Sequence, residues 1–290
     1  MRGVTLIAAL GIVLGAWSAA CADASELDGV RTLAREKAAA IGLMRTKAAD
    51  ILTTVAQDRL FGAYLNATTQ GEGARVRTRI AQALATFIRR FGLTSFQLID
   101  RSGVVVTYVS TTKVPPDTQV DVQKDRLLAA GFAAEAPVVA SVVVRRPDVS
   151  GWSMSLSAPV NWHGQTEYVL RAEQDQAAYR RVLGLGLDSK RYVLLADERD
   201  QILLDSRPKG SAGDDAPTPG GKLALTIAGQ SLPALRRLLG GGADEGSGLV
   251  SRRNENFNVS YRKVGDWTVV AVEPVLPPRR CTKDGERLCG

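Results

Sequence analysis

The sequence predicts an α+β protein in which a long N-terminal helix is followed by two antiparallel-sheet domains in tandem. Three observations support this fold class. Hydrophobic residues recur at helical spacing in the first part of the chain, and the period then changes to the two-residue period of strands. A pattern of strand, acidic turn and strand near residue 100 returns about a hundred residues later, which indicates two sheet domains of similar plan.

The composition excludes several classes of protein. The 290 residues are 45% hydrophobic and 23% charged, too apolar for a disordered chain and enough for one large core or two modest ones. The net charge of +7 is spread out, without the basic stripe of a nucleic-acid-binding protein. One histidine, His163, and three cysteines are too few for a histidine-rich metal site or a repeated CxxC zinc site. We expect no metal and no other cofactor.

The N-terminus has the pattern of an export signal. Arg2 gives a positive start, an apolar run covers Val4–Ala20, and Ala22–Ala24 is a small-x-small cleavage motif. The run is slightly shorter than the ~20 residues of a membrane-spanning helix. We therefore predict that residues 1–24 are cleaved and that the protein is periplasmic or secreted. An uncleaved anchor is one alternative, and lipidation at Cys21 is a weaker one.

Export also explains the cysteines. Once the signal is removed, only Cys281 and Cys289 remain, in the tail 276–290. An even pair in an oxidising compartment most simply forms a disulfide. Closing so short a loop would stabilise only the tail, by roughly 2–3 kcal/mol in the chain-entropy model.

Residues 25–72 are predicted to form a long spine helix with its closing turn. The segment from Glu26 to about Asn66 contains no proline, and hydrophobic residues recur at three- and four-residue steps from Leu27 to Val55. At 1.5 Å per residue, forty residues would extend about 60 Å. Such a helix can rest on its own sheets, or it can also pair with a second copy in a homodimer.

Residues 73–186 are predicted to form the first sheet domain. After a second amphipathic helix, two strands are joined by the turn Asp100–Gly103, which is a hairpin signal. Further strands are expected at 152–160 and 166–172. The connection 111–151 is long, and long loops on a rigid sheet often carry function.

Residues 187–275 are predicted to form a smaller second domain. Its strand, acidic turn and strand at 192–204 repeat the first hairpin, and 257–272 gives a later one. A Gly- and Pro-rich excursion covers Gly210–Gly221, and a short helix is expected at Ser231–Leu239.

Four short segments follow the long helix in a distinctive order: Leu98–Val104 (LIDRSGV), Ser155–Val160 (SLSAPV), Leu170–Asp175 (LRAEQD) and Gly265–Val270 (GDWTVV). In this order and spacing the mature chain resembles the double Cache domain, the PAS-like extracellular sensor module of bacterial chemoreceptors and histidine kinases. The resemblance implies a membrane-distal larger domain that binds a small solute. It also implies a membrane-proximal smaller domain that usually binds none.

Many members of that family recognise amino acids or carboxylates. The amino-acid-binding subset carries a Tyr…Arg-x-Trp-Tyr…Asp arrangement, whereas this chain has no Arg-x-Trp-Tyr and has Glu173 at the acidic position. Members normally continue through a second membrane helix into a signalling domain. This sequence shows no such continuation after the second domain. We therefore expect a non-enzymatic sensor module that passes its state to a separate membrane-bound signalling partner.

The polar candidates for a ligand site lie on the first domain. Arginine offers a planar fork for carboxylates, so Arg145 and Arg146, at the end of the long connection, are the expected anion-binding groups. We expect the ligand between the sheet and residues 111–151.

Four further residues complete the expected site. Tyr108 and Trp152 are candidates for apolar walls with a polar edge. Ser155 offers a hydroxyl donor, and Glu173 offers an acceptor for an ammonium group.

Two other functions stay open at this point. The chain could be a structural or interaction protein of the cell envelope with a closed Cache fold, contacting its partner through the spine helix or through Pro277–Arg280. That function predicts an exposed apolar stripe on the spine and no cavity in the sheet. A hydrolase would have to use His163, but no G-x-S-x-G elbow accompanies it.

Overall fold

The computed structural model describes residues 5–67, 69–91, 93–111, 119–133, 140–145, 152–162, 164–207, 226–227, 230–239, 244–252 and 255–275. The helices are α1 (Thr5–Ala56), α2 (Arg59–Leu65), α3 (Gln70–Phe91), α4 (Arg126–Ala133), α5 (Gln176–Gly184) and α6 (Leu232–Leu238). The first strands are β1 (Ser95–Asp100), β2 (Val105–Ser110), β3 (Ala140–Arg145), β4 (Trp152–Trp162) and β5 (Gln165–Asp175). The later strands are β6 (Tyr192–Ala196), β7 (Ile202–Asp205), β8 (Thr226–Ile227), β9 (Gln230–Ser231), β10 (Glu245–Arg252), β11 (Glu255–Val264) and β12 (Trp267–Val275).

The chain divides into two compact units, each with one antiparallel sheet. The first unit is Ala40–Val182, and its sheet, called here the first sheet, has the strand order β2-β1-β5-β4-β3. The described part of the second unit comes from 5–39, 183–207, 226–227, 230–239, 244–252 and 255–275, and the second sheet has the order β7-β6-β12-β11-β10. The predicted α+β fold, a long N-terminal helix followed by two antiparallel sheets, is confirmed.

Helix α1 contributes to both units and ends earlier than the sequence predicted. Its buried positions follow the expected three- and four-residue steps, including Val30, Ala34, Ile41, Ala48, Leu52 and Val55. The helix stops at Ala56 because Asp58 adopts an extended backbone and starts α2, accepting a hydrogen bond from the Leu60 N–H at 2.9 Å. No helix among the described residues is long and apolar enough to cross a membrane.

The first hairpin of each sheet is closed by the same aspartate turn. Asp100 is the last residue of β1, and its Oδ1 accepts hydrogen bonds from the N–H groups of Ser102 and Val104, both at 2.9 Å. The Gly103 N–H also donates a backbone hydrogen bond to the Asp100 carbonyl oxygen. Gly103 has φ +86°, the left-handed conformation that glycine tolerates best.

The turn after β6 repeats this pattern. Asp197 Oδ1 accepts from the N–H groups of Arg199 and Gln201, both at 2.9 Å, and Asp200 has φ +58° at the position equivalent to glycine in the first turn. Side-chain acceptance of two backbone N–H groups explains why both turns need an aspartate. The weak internal repeat in the sequence therefore corresponds to two turns with the same side-chain hydrogen bonds.

The two faces of the first sheet differ in chemistry. One face is apolar and includes Phe96, Leu98, Met154, Leu156, Leu170 and Ala172, all buried. Tyr179 of α5 packs on this face, with its ring centroid 5.4 Å from that of Trp152 and its hydroxyl donating to Gln174 Oε1 at 2.8 Å. Burial raises the pKa of the Tyr179 hydroxyl, which keeps it protonated as a donor.

The second sheet has a filled apolar face beneath helix α6. This face and the helix share one core cluster, formed by Leu194, Ala196, Leu232, Leu235, Leu239, Val250, Val259, Tyr261, Val270 and Val272. Packing is tight, since a Cβ atom at Gly246 would lie 2.6 Å from Tyr261 Cε1. The apolar face of the second sheet and helix α6 are therefore closely packed.

Gly103 is predicted to be far more sensitive to substitution than another left-handed glycine in the same unit. A Cβ atom at Gly103 would lie 2.0 Å from the Val120 carbonyl oxygen, whereas Gly164, with φ +79°, has nothing within 4 Å. Gly164→Ala should cost only the left-handed strain, about 1–2 kcal/mol. Gly103→Ala should cost at least about 2 kcal/mol more, because the backbone near Val120 must move. Urea unfolding of both variants measures this, and equal destabilisation would contradict it.

Candidate ligand-binding face

Strand β4 alternates serine with hydrophobic residues, and both sets are buried. Ser155 and Ser157 are 1% and 0% exposed, as deeply buried as Met154 and Leu156 between and beside them. Because successive side chains of a strand point to opposite sides, the serines share one face of the first sheet and the hydrophobic residues share the other. A buried polar stripe of this kind is unusual for a structural sheet.

Register pairing joins the serines to polar residues on the neighbouring strands. Glu173 is the register partner of both Ser95 and Ser155, and Arg171 is the partner of both Gln97 and Ser157. Directly paired residues in an antiparallel sheet project from the same face. This surface is called the polar face, and its members are Ser95, Gln97, Tyr108, Ser153, Ser155, Ser157, Arg171 and Glu173.

Helix α4 covers one end of the polar face. Ser157 Oγ donates to the Leu127 carbonyl oxygen at 3.1 Å, and Leu128 packs against Ile99 and Val169. A Cβ atom at Gly131 would lie 2.9 Å from Val169 Cγ2, so the helix lies close against the sheet. The hydrophobic end of the face is thus sealed by α4, next to the row of polar residues.

Arg171 joins the polar face to the start of this helix through an ion pair with Asp125. The two side chains are 12% and 25% exposed. Asp125 Oδ1 also accepts hydrogen bonds from the N–H groups of Leu127 and Leu128, at 3.0 and 3.1 Å, and so caps α4. The guanidinium of Arg171 is therefore held in place by a helix cap.

Glu173 lies at the centre of the neighbouring row. It is 4% exposed, and its Oε2 accepts a hydrogen bond from Ser95 Oγ at 3.1 Å. Its backbone carbonyl accepts from the N–H of Thr94 at 2.8 Å. A carboxyl group held this firmly inside the protein is a suitable acceptor for a charged or polar ligand group.

Four buried polar atoms of this face have no hydrogen-bond partner within the described part of the chain. They are Gln97 Oε1, Ser153 Oγ, Ser155 Oγ and Arg171 Nε. Gln97 and Arg171 are register partners, and Ser155 lies one row away on β4, so the three groups are neighbours. An unsatisfied buried group costs about 1–3 kcal/mol. Such a cluster therefore fits a site that a bound molecule completes.

The structure brings three of the predicted site residues together. Tyr108, Ser155 and Glu173 all lie on the polar face. Trp152 does not, because its position alternates with Ser155. It is 6% exposed and packs against Tyr179 on the opposite, apolar face.

The other predicted residues are not placed in the site. Arg145 is the last residue of β3 and the register partner of Trp152. Arg146, His163 and the cysteines of the predicted disulfide, Cys281 and Cys289, lie outside the described residues.

Sequence reasoning missed Gln97, Arg171 and Asp125. Arg171 and Glu173 are two residues apart on one strand, and that spacing alone puts them on the same face. Asp125 precedes a short helical segment, which is the position of an N-cap. The signals were present, but the pairing of strand with strand is needed to bring the three residues together.

The two sheets provide an internal comparison, because they share strand order and the position of the inserted helix. Gln97 and Leu194 each lie three residues before the turn aspartate of their sheet, so they occupy equivalent positions. Their register partners, Arg171 and Val270, are equivalent for the same reason. The same matching gives Glu173 with Val272, Ser155 with Val259, and Ser157 with Tyr261. These five polar positions of the first sheet are thus occupied in the second by buried hydrophobic or aromatic residues.

The helix α1 surface gives no support to the interaction alternative. Between residues 27 and 56, for which the side chains are described, Leu43 is the one large hydrophobic residue that is well exposed, at 57%. An apolar stripe along the spine is therefore not found in this part of the chain.

No protein-family model matches the chain, and no curated protein matches it in sequence. Solved structures do match. The sensory domain of the Campylobacter jejuni chemoreceptor Tlp3 with isoleucine bound is 12% identical, with a TM-score of 0.64, covering 86% of this chain and 92% of that one. The sensor domain of the Vibrio cholerae histidine kinase DctB is 12% identical, with a TM-score of 0.59, covering 87% and 98%.

A third similar structure is the ligand-binding domain of the Pseudomonas aeruginosa amino acid chemoreceptor PctC in complex with GABA. It is 16% identical, with a TM-score of 0.56, covering 86% of this chain and 99% of that one. At such identities the likeness establishes the fold alone. The chain has the double Cache fold of bacterial sensory domains, as the sequence resemblance predicted.

Proposed function

We propose that this chain is an exported sensor module that binds a small molecule on the polar face of its first, membrane-distal domain. The observation that carries the proposal is the group of neighbouring buried polar atoms without partners at Gln97, Ser155 and Arg171. The ligand is a carboxylate, an amine or an amino acid. Its binding is passed to a separate membrane-bound signalling partner.

The comparison between the two sheets supports a single site. The positions that are polar and buried on the first sheet are filled by hydrophobic side chains on the second. A sheet needs no buried polar row to be stable, since the second sheet has none at these positions. The polar row of the first sheet is therefore attributed to ligand binding, and the second domain is proposed to bind none.

The chemistry of the polar face fits a ligand with an amino group. Glu173 and Ser155 are register partners and offer adjacent acceptors for N–H donors. Two of the similar structures hold isoleucine and GABA as ligands of those proteins. An amino acid or a related small molecule is therefore the first class to test.

The remaining sequence predictions belong to this proposal. Cleavage after residue 24 would release the protein to the periplasm, and Cys281 and Cys289 would form a disulfide there. We propose binding without catalysis. A homodimer through helix α1 can accompany this binding function. The alternative is a structural or interaction protein with a closed Cache fold, which requires that no small molecule stabilise the protein.

A ligand screen tests the proposal directly. We expect at least one member of a panel of amino acids, amines and small carboxylates to raise the melting temperature. A compound present at about 100 times its Kd should add about 2.7 kcal/mol of stability. Hydrogen exchange with that compound should slow in β1, β4, β5 and α4 but not in β6, β11 and β12. Protection of the second sheet alone, or no stabilising compound, would contradict the proposal.

Glu173→Gln is predicted to weaken binding of the compound found in the screen by about tenfold or more, because hydrogen bonds to a charged acceptor contribute about 1.5–3 kcal/mol. Glu255→Gln is the matched control, since Glu255 is an exposed carboxylate at the start of β11 in the second unit. Titration calorimetry on both variants measures the effect. Equal affinities of the two variants would place the site elsewhere.

Ser155→Ala is predicted to separate stability from binding. Removing a buried hydroxyl that has no partner among the described residues should leave the ligand-free protein as stable or up to about 1 kcal/mol more stable. Affinity for the screened compound should fall at the same time. Urea unfolding without ligand and calorimetry with it give the two values. Destabilisation by more than about 1 kcal/mol would show that the hydroxyl serves the fold instead.

A further inference from the structure

We infer that Arg171 is the residue that selects ligands carrying a carboxylate group. This inference rests on the proposed function, because it assigns one part of the ligand to one residue of that site. It changes the sequence-based expectation, in which Arg145 and Arg146 were the anion-binding groups. Arg171 was part of the LRAEQD segment but had no assigned role.

The guanidinium of Arg171 has an unused hydrogen-bond donor. Its Nε lies buried on the polar face and has no hydrogen-bond partner among the described residues. A guanidinium is always charged and carries five N–H donors, so the buried Nε–H is a strong donor that can still bind an acceptor. A carboxylate is the group that matches this donor best, because the hydrogen bond is then charge-assisted on both sides.

Asp125 holds the Arg171 guanidinium in place. Its carboxylate pairs with a terminal nitrogen of Arg171 and also caps helix α4. The Nε–H of Arg171 takes no part in this pair and has no partner among the described residues. Asp125 is therefore a positioning residue, which offsets the charge of Arg171 in the ligand-free protein and fixes the direction of the unused donor.

Two neighbouring groups on the polar face define the rest of the ligand. Gln97 Oε1 can only accept a hydrogen bond, and Ser155 Oγ can donate or accept. Both are buried and lack partners among the described residues. A ligand that satisfies the whole cluster therefore presents an acceptor to Arg171 and an N–H donor to Gln97. A zwitterion with one carboxylate and one amino group meets both requirements.

The experiment compares three acids with their carboxamides, namely L-valine, L-serine and GABA with the corresponding amides. Each pair differs in the carboxylate and keeps the amino group. Binding is measured by calorimetry on the wild-type protein, on Arg171→Gln and on Arg77→Gln, a control arginine exposed on α3. Circular dichroism checks that each variant is folded.

The wild-type protein should bind at least one acid about tenfold or more tightly than its amide. Arg171→Gln should remove this preference while changing the affinity for the amide by less than about threefold, and Arg77→Gln should keep it. Arg171→Lys, which retains the charge without the fork, should keep part of the preference.

Three results would overturn the inference. If the wild-type protein binds acid and amide equally, Arg171 selects no carboxylate, whatever the variants do. If it prefers the acid and Arg171→Gln keeps that preference, the carboxylate lies elsewhere and the proposed function stands. If no acid, amide, amine or carboxylate binds the wild-type protein, the proposed function itself fails, and this inference fails with it.

Discussion

The two-residue alternation of strands β4 and β5 is the constraint on which the candidate site depends. It sends Met154 and Leu156 to the apolar face and Ser155 to the other, together with Arg171 and Glu173. A shift of one residue in the pairing would put the charged side chains into the hydrophobic core. The burial of the apolar face therefore fixes the register, and the fixed register assembles the polar face.

The repeated aspartate turn shows how one framework carries two different faces. Asp100 and Asp197 organise the same hairpin in the two sheets through the same side-chain hydrogen bonds. These bonds involve only the turn, so they leave the sheet faces free to differ. The first face has become polar around Arg171, while the second is filled by residues such as Tyr261. Hydrogen bonding at the turns closes both hairpins in the same way, and the side chains of the inner strands determine the chemistry of each face.

Much of the fold could be predicted from the sequence, because helical and strand periods are local properties. The two sheets, the Asp100 turn and its repeat near residue 197 follow from patterns within short segments. The site could be predicted only in part. Ser155 and Glu173 were recognised as polar groups, but Trp152 was assigned to the same site although its parity on β4 places it on the other face. The partnership of Arg171 with Asp125 depends on contacts 46 residues apart in the chain, which no local pattern reveals.

The energetic cost of the polar face is the strongest reason to give it a function. Replacing a buried polar group and its partners with well-packed hydrophobic residues is often neutral or stabilising. The second sheet shows that this replacement is compatible with the fold, since Leu194, Val259 and Val270 stand where the first sheet has Gln97, Ser155 and Arg171. A sequence maintained for stability alone would favour the hydrophobic solution in both sheets. The first sheet keeps the costlier arrangement, and its unused donors and acceptor lie side by side, as a small zwitterionic ligand would require.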